Sequence, residues 1–203
     1  MTTRKVAVIA AGVSTPSSTR MLADRLAAAI GEELRSAGVP AQVEIVELRE
    51  HARALADAVV TGFAAGDLRD AIRTVTAADA VVAVTPVFAA SYSGLFKTFI
   101  DVLEPDALTG KPVLLAATAG TARHSLVIEH AMRPLFSHLH ALTVPTGVFA
   151  APEDWAGGDA APLSTRIERA ARELTDLLTA RTPARPVDPF DDPTPFENLL
   201  AER

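Results

Sequence analysis

Three stretches of the sequence concentrate hydroxyl groups and small residues: Ala10 to Arg20, "AAGVSTPSSTR"; Thr85 to Asp101, "TPVFAASYSGLFKTFID"; and Thr118 to Ser125, "TAGTARHS". In the first, Ser14, Thr15, Ser17, Ser18 and Thr19 stand just before a segment of helical periodicity. Free amides and the dipole at a helix start both favour negative charge. Capping such a helix takes one hydroxyl. The surplus points to a bound anion such as a phosphate, and Arg20 could add a charge-assisted contact. No GxGxxG occurs, and Gly110-Lys111 runs into Pro112 instead of a helix, so this is neither a dinucleotide fingerprint nor a Walker loop.

The second stretch gathers Pro86, Ser91, Tyr92 and Ser93 where an apolar run gives way to a periodic one. It is either a connector or backbone held against a ligand. In the third, Gly120 permits a close backbone approach, and Thr121, Arg123 and His124 add polar groups. His130, His138 and His140 do not make a metal site by spacing: Pro134 interrupts the helix between the first two, and residues two apart diverge on a helix.

The elements that must position these stretches alternate along the chain. Val6 to Ala10, Ala80 to Val87 and Val113 to Ala117 are nearly unbroken apolar runs, as strands buried on both faces require. Val43 to Leu48 alternates in part and reads as a strand nearer an edge; Val144 to Ala151 contains a fifth. Between them, Leu22, Leu26, Ile30 and Leu34 mark a helix that Gly38 stops. Residues 51–78 read as two helical pieces broken around Gly62 to Gly66. Leu95, Phe96, Phe99, Ile100 and Leu103 mark another helix face, and 124–141 reads as a helix that Pro134 kinks or restarts. The last helix is predicted to open at Thr165-x-x-Glu168, a capping-box pattern, and to carry Ile167, Leu174 and Leu178. Five strands alternating with helices predict an α/β domain over 1–181 with a doubly wound parallel sheet. In such a sheet, ligands bind beyond the carboxyl ends of the strands, where all three polar stretches fall. Residues 182–203 hold Pro183, Pro186, Pro189, Pro193 and Pro195, an extended tail that is either a free end or an arm lying on a neighbouring subunit through Phe190 and Phe196.

Composition narrows the classes further. The formal charge of −6 argues against nucleic acid or an anionic membrane surface as a partner, and no apolar run reaches the ~18 residues of a membrane span. With no cysteine and no cleavable signal pattern after Met1, a cytoplasmic location is expected.

These residues resemble a known family. Thr85, Pro86, Val87, Ala90, Ser91, Tyr92, Ser93, Gly94, Lys97 and Asp101 match a signature of the NAD(P)H-dependent FMN reductases, with Phe88 where the family usually carries tyrosine. "LTGKPVLLAATAGTARHSL" is similar to its next block, with Ala119 in place of the first of two glycines. "ALTVPTGVFA" and "DPTPFENLL" extend the likeness to the actinobacterial type partnered with a luciferase-like monooxygenase. Gly12 to Ser18 departs from the family's usual first loop, G-S-x-R-x-x-S.

The resemblance implies a flavodoxin-like fold of five strands in order 2-1-3-4-5, with FMN and NADPH (or NADH) as cofactors. It implies that Ser14, Ser17, Ser18, Thr19 and Arg20 hold the FMN phosphate. Pro86, Val87, Phe88, Ala90, Ser91 and Tyr92 would follow the ribityl chain and ring, and Thr118, Ala119, Gly120 and Thr121 its pyrimidine edge. Arg123 and His124 could meet the NADPH phosphate or the developing negative charge on reduced flavin, or form a surface pair at a helix start. His130 would lie at a helix irregularity in the interface of a homodimer or homotetramer. Hydride transfer belongs to the two cofactors, so no catalytic side chain and no metal is expected. The three loops themselves carry no Asp or Glu and few aromatics, which implies a flavin that exchanges and serves a partner monooxygenase. A quinone or azo reductase with tightly held FMN, and a non-enzymatic flavodoxin-type electron carrier, are the other readings of the same fold.

Overall fold

The computed structural model describes residues 3–156 and 161–180. Its first strand, β1 (Arg4–Ala10), lies between β2 (Ala41–Glu47) and β3 (Ala80–Phe88) and is parallel to both, with Val8 level with Ile45 and Val82. The apolar runs exist because both sheet faces are covered. Val6, Val8 and Ala10 point into a core shared with α1 (Ser18–Ser36) and α7 (Ala161–Ala180), the helix after the short α6 (Glu153–Ala156). Ala7, Ile9 and Ala11 point into the other core. That second core is filled from α2 (Ala52–Thr61), α3 (Gly66–Thr76), α4 (Gly94–Asp101) and α5 (Arg133–His138), which bury Leu55, Leu68, Phe96, Phe99 and Phe136. Strand β5 (Pro112–Thr118) continues the sheet beyond β3 and is buried throughout.

The expected five strands in order 2-1-3-4-5 need correcting. Among the described residues seven strands are present, in the order β2-β1-β3-β5-β6, with β4 (Ser91–Tyr92) antiparallel on β3 and β7 (Val148–Ala150) also parallel on β5. β6 (Leu142–Thr143) and β7 occupy the place of one fifth strand, broken between them. Pro145 lies in the break and has no N–H to donate to a ladder. The Arg133 guanidinium serves the carbonyls instead, donating to Val144 O at 3.1 Å, Pro145 O at 3.1 Å and Thr143 Oγ1 at 2.9 Å. Gly147 is required beside this break, because a Cβ there would lie 2.6 Å from Ile128 Cγ2.

Helix ends differ from expectation in two places. α7 begins at Ala161, so Thr165 is interior, and the buried apolar series starts one turn earlier than predicted, at Leu163. The expected helix over 124–141 is three pieces: a 3-10 turn at Ala122–His124, a π turn at Ile128–Met132, then α5. Pro134 sits in the first turn of α5, where its missing N–H leaves no broken bond. The π turn before it also presents Glu129, whose carboxyl titrates below its ordinary range because it accepts a hydrogen bond from Arg133. Among the described residues no helix is long and apolar enough to cross a membrane. The proline-rich segment 182–203, with Phe190 and Phe196, lies outside the described residues.

Candidate functional site

The chain runs from β1 outward to β2 and then crosses back to β3, so the strand order reverses between β1 and β3. At that switch point the loops after β1, β3 and β5 meet beyond the carboxyl ends of their strands. They enclose a cleft of about 230 Å³ lined by Val13, Ser14, Ser18, Thr19, Pro86, Val87, Phe88, Thr118, Ala119, Gly120 and Pro152. Nine of the predicted site residues therefore converge: Ser14, Ser18, Thr19, Pro86, Val87, Phe88, Thr118, Ala119 and Gly120. Ser17, Arg20, Ala90, Ser91, Tyr92, Thr121, Arg123 and His124 do not line it.

The first loop divides its hydroxyls between structure and cleft. Ser17 caps α1, its Oγ accepting from the Arg20 amide at 3.2 Å. Thr19 is buried and its Oγ1 lies 2.8 Å from Thr118 Oγ1, tying the first loop to the third. Gly12 is needed where the loop turns back on its own helix, because a Cβ there would lie 2.1 Å from Ser17 Oγ. Ser14 and Ser18 face the cleft at the start of α1. Arg20 turns away from it. Its guanidinium bonds Asp24 at 2.9 Å and also Glu47, and the Asp24 hydrogen bond holds its pKa above the ordinary value.

Sequence reasoning missed Arg49. It lies in a 3-10 turn, Leu48–His51, directly after β2, and its Nη1 donates to Thr15 Oγ1 at the tip of the first loop. The only signal was its place just beyond the carboxyl end of a strand beside β1.

The second loop is a tight hairpin. Phe88 pairs with Ser91 and Val87 with Tyr92, leaving Ala89 and Ala90 as its two central residues at φ 49° and 65°. Both are left-handed, a conformation that costs a non-glycine residue about 1–2 kcal/mol and persists only when neighbours enforce it. Enforcement comes from below. Thr85 is fully buried and its Oγ1 accepts from the Ser93 amide at 3.0 Å, while Ser93 Oγ caps α4 by accepting from the Phe96 amide at 3.2 Å. The Tyr92 and Phe96 rings pack at 5.9 Å. Thr85→Val keeps the shape but strands the Ser93 amide, and is expected to cost about 1–3 kcal/mol, read by urea denaturation.

The third loop leaves Gly120 with nothing within 4 Å of where a Cβ would stand, so its backbone is open to a ligand. Thr121 caps the following turn through the Arg123 amide; Arg123 is exposed and His124 half-buried. Among the residues lining the cleft none is Asp or Glu. A larger hollow of about 550 Å³ lies beside β7, but the one cation among the described residues that line it, Arg166, is bound to Asp154 Oδ1 at 2.7 Å, and Glu153 adds negative charge. The three-loop cleft is therefore the better anion site.

This architecture is that of a flavodoxin-like α/β protein. The WrbA-like flavodoxin of Agrobacterium tumefaciens superposes with a TM-score of 0.62 at 15% identity, covering 89% of this chain and 100% of that one, a likeness of fold alone. A sequence model of the NADPH-dependent FMN reductases matches residues 4–156, and the chain belongs to that family. It is 39% identical to the NADH-dependent FMN reductase SfnE of Pseudomonas putida, over 86% of this chain and 92% of that one. It is 36% identical to an NADPH-dependent FMN reductase of Pseudomonas aeruginosa, over 88% and 94%. An oxidoreductase structure from Corynebacterium diphtheriae superposes with a TM-score of 0.85 at 47% identity, covering 89% of this chain and 99% of that one. The protein is thus an oxidoreductase of a family that uses FMN with NADPH or NADH.

Proposed function

We propose that FMN occupies the three-loop cleft as an exchangeable substrate, is reduced there by NAD(P)H, and leaves to serve a flavin-dependent monooxygenase. The observation that carries this reading is the composition of the cleft. Hydroxyls and the start of α1 lie at one end, Pro86 to Phe88 and the open backbone at Gly120 at the other, with no carboxylate between. That donor set fits a phosphate at the first loop and a flat, partly apolar ring at the second and third.

When bound, the flavin accepts a hydride from the nicotinamide, and that chemistry is its own. The chain's part is to hold and orient. Ser14 and Ser18 present hydroxyls to the phosphate, and Ser17 as the cap of α1 and Thr19 through its bond to Thr118 hold the first loop in place, with Arg20 fixing the first turn of α1 from behind through Glu47. The stiff hairpin sets Val87 and Phe88 against the ring, with Ala90, Ser91 and Tyr92 keeping the hairpin in shape. Thr118 to Thr121 run along the ring's polar edge. Arg123, exposed, and His124, half-buried, follow the third loop and would meet the phosphates of the dinucleotide. The exposed Val59, Val60 and Phe63 at the end of α2 support self-association into a homodimer or homotetramer. The absence of cysteine from the sequence supports a cytoplasmic setting.

Weak retention follows from the cleft's few aromatic contacts. Among the described residues Phe88 is the one aromatic lining it, and an aromatic pair contributes only about 0.5–1.5 kcal/mol. Purified protein should lose FMN on extensive dialysis and then oxidise NAD(P)H in saturable dependence on added FMN, with sequential kinetics. Retention of stoichiometric flavin with ping-pong transfer to a quinone would instead identify a quinone or azo reductase.

A further inference from the structure

We infer that Arg49 is a specificity-determining positioning residue that makes the site select a phosphorylated flavin over an unphosphorylated one. The inference rests on the FMN reading above and adds a fourth loop to the site, the turn after β2.

Two arginines converge behind the first loop, and they are not equivalent. Arg20 has two carboxylates, Asp24 and Glu47. Arg49 has only a share of Glu47, its Nε lying 3.0 Å from Oε2 while Arg20 takes Oε1. The Glu47 side chain is 16% exposed and holds both guanidinium groups at fixed positions. Arg49 is therefore the less compensated cation, and its remaining donor face is turned onto the loop tip. There its Nη1 donates to Thr15 Oγ1 and lies 3.5 Å from Ser14 O. Ser14 lines the cleft beside Ser18, at the end where α1 begins.

Holding that tip against β2 has a chemical consequence. It fixes the backbone between Gly12 and the Ser17 cap, so the hydroxyls and amides there are already arranged for tetrahedral phosphate oxygens. It also places positive charge just behind them. A flavin without phosphate gains nothing from either effect, because its ring lies on the second and third loops. Loss of Arg49 should therefore affect FMN and spare riboflavin.

The test is steady-state NAD(P)H oxidation by wild type, Arg49→Ala and Arg49→Lys, with FMN and with riboflavin as varied acceptor. For Arg49→Ala the expected result is a rise of about tenfold in KM for FMN, the scale of one charge-assisted hydrogen bond. The kcat and the KM for riboflavin should stay within about twofold. Arg49→Lys should recover part of the loss, and the KM of the wild type for FMN should climb with ionic strength more steeply than that of Arg49→Ala. A parallel rise in KM for both flavins, or none for either, would overturn the inference and leave Arg49 a purely structural residue. Failure of the wild type to reduce FMN at all would remove the FMN reading on which it rests, and is distinguishable because riboflavin and quinone are assayed alongside.

Discussion

Gly12→Ala is expected to raise the KM for FMN by at least about tenfold while destabilising the fold by about 1–2 kcal/mol. The added methyl would stand 2.1 Å from Ser17 Oγ, 3.1 Å from Thr19 Cβ and 3.2 Å from Ser17 Cβ. None of these atoms can retreat without consequence. Ser17 is the cap of α1, and Thr19 is buried and bonded to Thr118, so the loop itself must move. Movement of the loop withdraws Ser14 and Ser18 from the cleft, and the cap hydrogen bond is lost with it. Gly120→Ala is the informative contrast. Nothing stands within 4 Å of its Cβ, so stability should be unchanged within about 0.5 kcal/mol, while the methyl narrows the ring's edge of the cleft and weakens FMN alone. Urea midpoints and FMN titrations of the two variants, read together, separate packing from binding.

Phe96→Ala should give the largest loss of stability, about 3–5 kcal/mol. Phe96 has no exposed surface and lies between two aromatic neighbours, with ring centroids 5.9 Å from Tyr92 and 6.3 Å from Phe136. The cavity would open directly beneath the hairpin whose Ala89 and Ala90 are held in left-handed conformations. With the support gone, the hairpin is free to relax, so kcat/KM for FMN should fall even in the fraction that remains folded. Denaturant unfolding gives the first number. Activity measured well below the unfolding midpoint gives the second. A variant of unchanged FMN kinetics would mean that the hairpin keeps its shape without the ring below it.

The sequence carried the sheet plainly because apolar runs such as Val6 to Ala10 have no other soluble use than a strand covered on both faces. It carried α1 as well, since Leu22, Leu26, Ile30 and Leu34 are all fully buried where their spacing put them. The broken fifth strand was not legible. Its cause is a guanidinium eleven and twelve residues away in the chain that takes over the carbonyls at Val144 and Pro145, a contact with no local signature. The start of α7 was misplaced for a related reason: a capping-box pattern is evidence for a helix start only when the apolar series does not extend before it, and Leu163 does.

At the site, the three loops were legible because hydroxyl and small residues cluster at strand ends. The division of labour inside each loop was not. Ser17 and Ser93 are caps and Thr85 is a buried acceptor, while Ser14 and Ser18 reach the cleft, and composition cannot distinguish these fates. Arg20 was expected at the phosphate from its position after the hydroxyls. One helical turn on, Asp24 and, across from it, Glu47 draw it aside, and Arg49 from another strand reaches the loop instead.

The most direct test of where and how the flavin binds is the structure of the FMN complex. The phosphate should lie within hydrogen-bonding distance, about 2.7–3.2 Å, of the amides and hydroxyls between Ser14 and Thr19, with the ring against Val87 and Phe88 and its edge along Ala119 and Gly120. A phosphate bound elsewhere, for example against Arg166 beside β7, would contradict it.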